Sequence, residues 1–156
     1  MTTASAPSHA WIAGTREMQL AVGFATGQVI AISAEKPIAV LPWLATVVER
    51  LNDVGRLKPG WDGEAASSPT REAALASLRA LFEVMWQDSP APAIIPMYDG
   101  GLQLEWHGQG LDVELSVAPA GDRHVWIAEA SGGEIDDEFR SVVEDLRKHL
   151  GALGRV

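Results

Sequence analysis

Residues 102–117 alternate between apolar and polar side chains across a single break. Leu102, Leu104 and Trp106 interleave with Gln103 and Glu105, and Leu111, Val113, Leu115 and Val117 interleave with Asp112, Glu114 and Ser116. Successive side chains of an extended strand point to opposite faces, so this period of two sorts the segment into one apolar and one acidic surface. An antiparallel hairpin with one face in a core and the other in water satisfies the pattern, and a helix does not. A turn spanning 107–110 sets Trp106 opposite Leu111, Glu105 opposite Asp112 and Gln103 opposite Glu114. Glu105, Asp112 and Glu114 are then expected on one face.

The flanking segments extend this hairpin into a meander. A strand is expected over 93–97, ahead of the Asp99-Gly100 turn, and another over 123–129, after Pro119-Ala120-Gly121-Asp122. Helical signals bracket the sheet. Ser68 as N-cap with Pro69 at the first helical position opens a helix with an apolar stripe of Ala74, Leu75, Leu78, Leu81, Phe82 and Met85. Ser131 and Glu134 have capping-box spacing, Asp136 and Asp137 suit the positive end of a helix dipole, and Ile135, Phe139, Val142, Val143, Leu146 and Leu150 recur at helical spacing. A last helix from Ser131 onward is therefore expected to dock on Leu104, Val113, Leu115 and Ile127. Apolar runs over 18–24 and 28–33 around Ala25-Thr26-Gly27 read as a hairpin. Pro42 then opens a helix carrying Trp43, Leu44, Val47, Val48 and Leu51 and closed by Gly55. The expected class is α+β: an antiparallel meander packed by helices, with an N-terminal hairpin and helix. The length of 156 residues suits one domain over 9–156 after a polar tail over 1–8.

The absence of cysteine excludes disulfides, thiolate metal sites and cysteine nucleophiles. The 12 Lys and Arg are scattered and outnumbered by 21 Asp and Glu, for a net charge of −9. Nucleic-acid and anionic-membrane binders need clustered cations, so neither partner is expected. No apolar run reaches membrane-spanning length, and the N-terminus lacks the basic and apolar regions of a signal peptide, so a cytoplasmic protein is expected. The charge fits a basic protein partner or plain solubility, and a homodimer is compatible with it.

Site motifs are sparse. The histidines, His9, His107, His124 and His149, include no pair at metal-binding helical spacing, and no Ser sits in a nucleophile elbow. Asp62-Gly63-Glu64 begins like a calcium loop, but Ser67 and Ala73 stand where Gly and Glu are required. Gly132-Gly133 lacks the lysine of a phosphate loop, and helix capping accounts for it. No cofactor, metal or catalytic residue is expected. The candidate binding residues are Trp61 and Asp62 in the Gly60-Trp61-Asp62-Gly63 turn, the acids Glu105, Asp112 and Glu114, and Trp126. The turn is read first as a device tucking Trp61 under its own loop and the following helix, and second as a recognition loop. The acids are read first as a solvated face, although clustered carboxylates raise one another's pKa and can support acid–base chemistry. Trp126 points outward beside them if Val125 and Ile127 point inward, and tryptophan is enriched at binding hot spots.

Gly60-Trp61-Asp62-Gly63-Glu64-Ala65-Ala66, Pro69 ahead of an alanine-rich helix, and Pro96 with Asp99-Gly100-Gly101-Leu102-Gln103-Leu104-Glu105-Trp106 resemble a loose group of small bacterial and phage proteins over about residues 57–129. The resemblance implies a shared domain and no catalytic residues. Small acidic proteins of mobile elements are often antitoxins, immunity proteins or inhibitors. The expectation is thus a protein-interaction domain of that kind. The competing readings are a small hydrolase or ligand-binding domain using the acidic sheet face, and a secretion-chaperone-like dimer.

Overall fold

A computed structural model describes residues 18–34 and 41–155. The tail expected over residues 1–8, and His9, lie outside the described residues. Strands β1 (Met18–Gly23) and β2 (Val29–Ala34) form a two-stranded antiparallel hairpin. Helices α1 (Pro42–Gly55) and α2 (Arg71–Val84) follow. Strands β3 (Ala93–Pro96), β4 (Leu102–Gly108), β5 (Leu111–Val117), β6 (Arg123–Glu129) and β7 (Glu134–Glu138) then build an antiparallel meander in sequence order. Helix α3 (Phe139–Leu153) ends the chain's regular structure. The class is α+β, as the sequence predicts.

The core lies between the meander's apolar face and the helices. Leu102, Leu104, Trp106, Val113, Leu115, Val125 and Ile127 are buried from the sheet side, and Leu78, Leu81, Phe139, Leu146 and Leu150 from the helix side. Helix α2 lies against β4 and β5, α3 against β6 and β7, and α1 against β1 and β3. Burying a side chain such as Leu or Phe contributes about 1.5–3 kcal/mol, so this interface dominates the fold's stability. One residue expected in the α2 stripe departs from it. Phe82 is 48% exposed and meets the buried Trp43 ring edge-on at 5.5 Å.

Three expectations are corrected. The β4–β5 turn is tighter than 107–110: Gln109 and Gly110 have φ of 52° and 73°, as a two-residue primed turn requires. Glu105 therefore pairs with Glu114, His107 with Asp112 and Trp106 with Val113. Because the shift is by two residues, every side chain keeps its face. Second, α2 is capped by Thr70 and not by Ser68. The Ser67 N–H donates to the Tyr98 carbonyl at 2.7 Å and the Thr70 N–H to the Gly100 carbonyl at 2.9 Å, which holds the chain extended until Thr70. The Thr70 hydroxyl then accepts from the Ala73 N–H at 3.0 Å.

Third, no helix starts at Ser131. The Gly132 N–H donates to the Glu129 carbonyl and the Glu129 N–H to the Gly133 carbonyl, both at 2.8 Å, which closes a hairpin. Residues read as a helix's first turn form β7, with Ile135 opposite Ile127, and α3 begins only at Phe139. Gly132-Gly133 serves that turn and not a helix cap.

Candidate acidic sheet face

Alternation places the even-numbered side chains of β5, β6 and β7 and the odd-numbered ones of β3 and β4 on the side of the meander away from the helices. The register aligns them in rows: Glu105, Glu114, Trp126 and Asp136 in one, His107, Asp112, Ala128 and Glu134 in the next, and Gln103, Ser116, His124 and Glu138 on the other side. Six carboxylates thus share this face (Glu105, Asp112, Glu114, Glu134, Asp136 and Glu138), and no Lys or Arg from these strands joins them.

Histidines take the place of cations. His107 sets Nδ1 2.8 Å from Asp112 Oδ1 and Nε2 3.1 Å from Glu105 Oε2. The Asp112 carboxylate, and after it Glu105, holds the imidazole's pKa above its ordinary value. With both nitrogens turned toward acceptors, the ring satisfies both contacts only when doubly protonated. It then has no lone pair to act as a base. The other Glu105 oxygen accepts from Gln103 Nε2 at 2.7 Å. His124 places Nε2 2.5 Å from Asp136 Oδ1. Half-buried Trp126 donates its indole N–H to Glu134 Oε1 at 2.9 Å, which stands its ring over β7. The sequence expectation that Glu105, Asp112, Glu114 and Trp126 share a face holds in this geometry. It missed Glu134, Asp136 and Glu138, and with them the Asp136 partner of His124, because β7 read as helix. The i, i+2 spacing of those acids after a Gly-Gly pair was the available signal.

Trp61 and Asp62 lie elsewhere. Asp62 Oδ1 accepts from the N–H groups of Glu64 at 2.9 Å and Ala66 at 3.2 Å. The Glu64 contact is the main cause holding its carboxyl below the ordinary range. Half-buried Trp61 donates its indole N–H to the Ser67 carbonyl at 3.0 Å. This loop is tied by Ser67 and Thr70 to the turn at Tyr98–Gly100, where a Cβ on Gly100 would meet the Ser68 carbonyl at 2.9 Å. The two motifs that carry the resemblance are therefore one packed unit, and it joins α2 to the end of the sheet.

A third histidine pair, also missed, lies on the helical side. His149 Nε2 is 2.8 Å from Glu129 Oε1 and Nδ1 is 2.7 Å from the Asp145 carbonyl. The pairing with His149 lowers the Glu129 pKa. A hollow of about 350 Å³ beside it is lined by Gln109, Leu111, Ser131 and Leu153. Among the described residues no group of His, Asp or Glu is placed to hold a metal ion, and no helix is long and apolar enough to cross a membrane. No family model, curated protein or solved structure matches the chain.

Proposed function

We propose that this is a protein-interaction domain whose acidic sheet face engages a basic protein, in the manner of an antitoxin, immunity protein or other inhibitory partner. The observation that carries the reading is the row Glu105, Glu114, Trp126, Asp136: carboxylates flank a half-buried tryptophan on a rigid sheet with no Lys or Arg among them. Such a face speeds encounter with cations, and the aromatic ring supplies contact area once charges have aligned. For the alternative of acid–base catalysis on this face, His107 is not a free base, because both its nitrogens are occupied.

The test compares the wild-type chain with Glu105→Gln/Asp112→Asn/Glu114→Gln in capture of a partner from the source cells. The reading expects wild-type capture to fade as salt rises through the range where the Debye length drops from about 10 Å to about 3 Å. It expects the variant to capture little at any salt. Equal capture by both proteins would overturn it.

A further inference from the structure

The two edges of the meander are unlike. Strand β3 is short, is bounded by Pro92 and Pro96, lies against α1, and has Arg50 Nη1 donating to the carbonyls of Ala91 and Pro92. That edge offers an incoming strand little to pair with. Among the described residues, strand β7 pairs only with β6, and α3 is the only other element packed closely on it.

The hairpin bond from the Glu129 N–H to the Gly133 carbonyl sets which way each β7 backbone group points. Bonded and non-bonded pairs alternate in an antiparallel ladder. From Glu129 and Gly133 the alternation makes Ile127/Ile135 and Val125/Asp137 the bonded pairs. Glu134, Asp136 and Glu138 thus turn their backbone groups away from β6. The Glu138 N–H is taken by Asp137 Oδ1 at 2.7 Å, and among the described residues the outward groups of Glu134 and Asp136 have no backbone partner. The same three residues carry the acids on the outer face. An open backbone edge and a line of carboxylates at every second position coincide.

We propose that β7 is a docking edge for an extended basic segment of the partner, which joins the meander as a sixth strand. This deepens, and rests on, the reading of the outer face as an acidic interaction surface. An added strand places its residues directly opposite Glu134, Asp136 and Glu138 on the same face, where opposite charges at cross-strand positions stabilise the pair. The segment it fits has Lys or Arg at alternate positions, with an apolar residue between them to cover half-buried Ile135. A second copy of this chain is the wrong occupant, since β7 against β7 sets acids opposite acids.

The probe is an acetylated, amidated peptide of alternating lysine and valine, seven residues long, titrated into the full chain at low salt. Strand addition expects binding with slowed hydrogen exchange at the Asp136 amide. It expects about 10-fold or greater weakening when the peptide's β7-facing amides are N-methylated, as loss of two backbone hydrogen bonds implies. Glu134→Gln/Asp136→Asn/Glu138→Gln, which keeps every backbone donor, should weaken binding comparably by removing the charges. Asp136→Pro should do so by removing one outward N–H while the ladder to β6 stays whole. An N-methylated peptide that binds as tightly as its parent would overturn the inference, as would absence of binding by the parent. If binding survives N-methylation but is lost in Glu105→Gln/Asp112→Asn/Glu114→Gln, the peptide lies on the face. The acidic-face reading then stands and the edge inference falls.

Discussion

His107 couples the acidic face to pH. Its two carboxylate contacts raise its pKa in the folded chain above the ordinary value of about 6.5. A folded-state value above the unfolded one gives a contribution that is fully present below the unfolded pKa and is lost as pH rises through the folded pKa. The end of the β4–β5 hairpin should therefore be tightest below the ordinary value and loosen as pH rises through the raised folded-state value. Titration of the His107 ring protons by NMR checks this. In Asp112→Asn, which removes the largest cause, the midpoint should fall toward the ordinary value, and an unmoved midpoint would refute the bridge. That Glu105, Asp112 and Glu114 share a face was legible from alternation alone, because a slip of two residues preserves faces. Their partners were not. The register depends on Gln109 accepting a positive φ beside Gly110, and nothing in the spacing of the apolar residues reports that choice.

At the level of elements, the segment from Ser131 to Phe139 satisfies two descriptions at once. Ser131 and Glu134 fit a capping box, and Ile135 and Phe139 sit one helical turn apart. The left-handed Gly132 (φ 99°) closes a hairpin first, and β7 then completes a ladder on β6 that the local pattern does not display. Tertiary pairing overrides local propensity here, so the acids of β7 were hidden until the strand was seen. The long helices were plain because their stripes run over several turns. Helix α3 gives the sharpest test of the layer architecture. Phe139 is buried, with the Arg123 guanidinium 4.1 Å from its ring centre. Phe139→Ala should cost about 3–5 kcal/mol in denaturant unfolding. Thr70→Ala should cost about 1 kcal/mol for the lost cap, since its hydroxyl accepts from the Ala73 N–H while donating to the Pro119 carbonyl at 2.7 Å. If Ser68→Ala costs more than Thr70→Ala, the helix starts where the sequence suggested.

Across the molecule, the helices and the apolar sheet face hold one side of the meander, while the other side carries more carboxylates than its two histidines pair. Glu114 shows this most clearly. It stands directly opposite Glu105, with Trp126 as its other cross-strand neighbour, and neither neighbour supplies a positive charge. Like charges opposite one another across a ladder destabilise it by about 0.2–1 kcal/mol. A shift of 1 kcal/mol moves the melting temperature of a chain of this size by about 2–4 °C. Glu114→Gln should therefore raise the melting temperature by about 1–3 °C at low salt, and screening should shrink the gain as salt is added. The same substitution should weaken capture of a basic partner. A residue that costs stability and contributes binding is what an interaction surface requires, because stabilising replacements at functional positions trade against function. Thermal unfolding of both proteins at low and high salt, alongside the capture assay, decides the matter. A lower melting temperature in Glu114→Gln would show that this carboxylate holds the sheet together, and would remove it from the binding face.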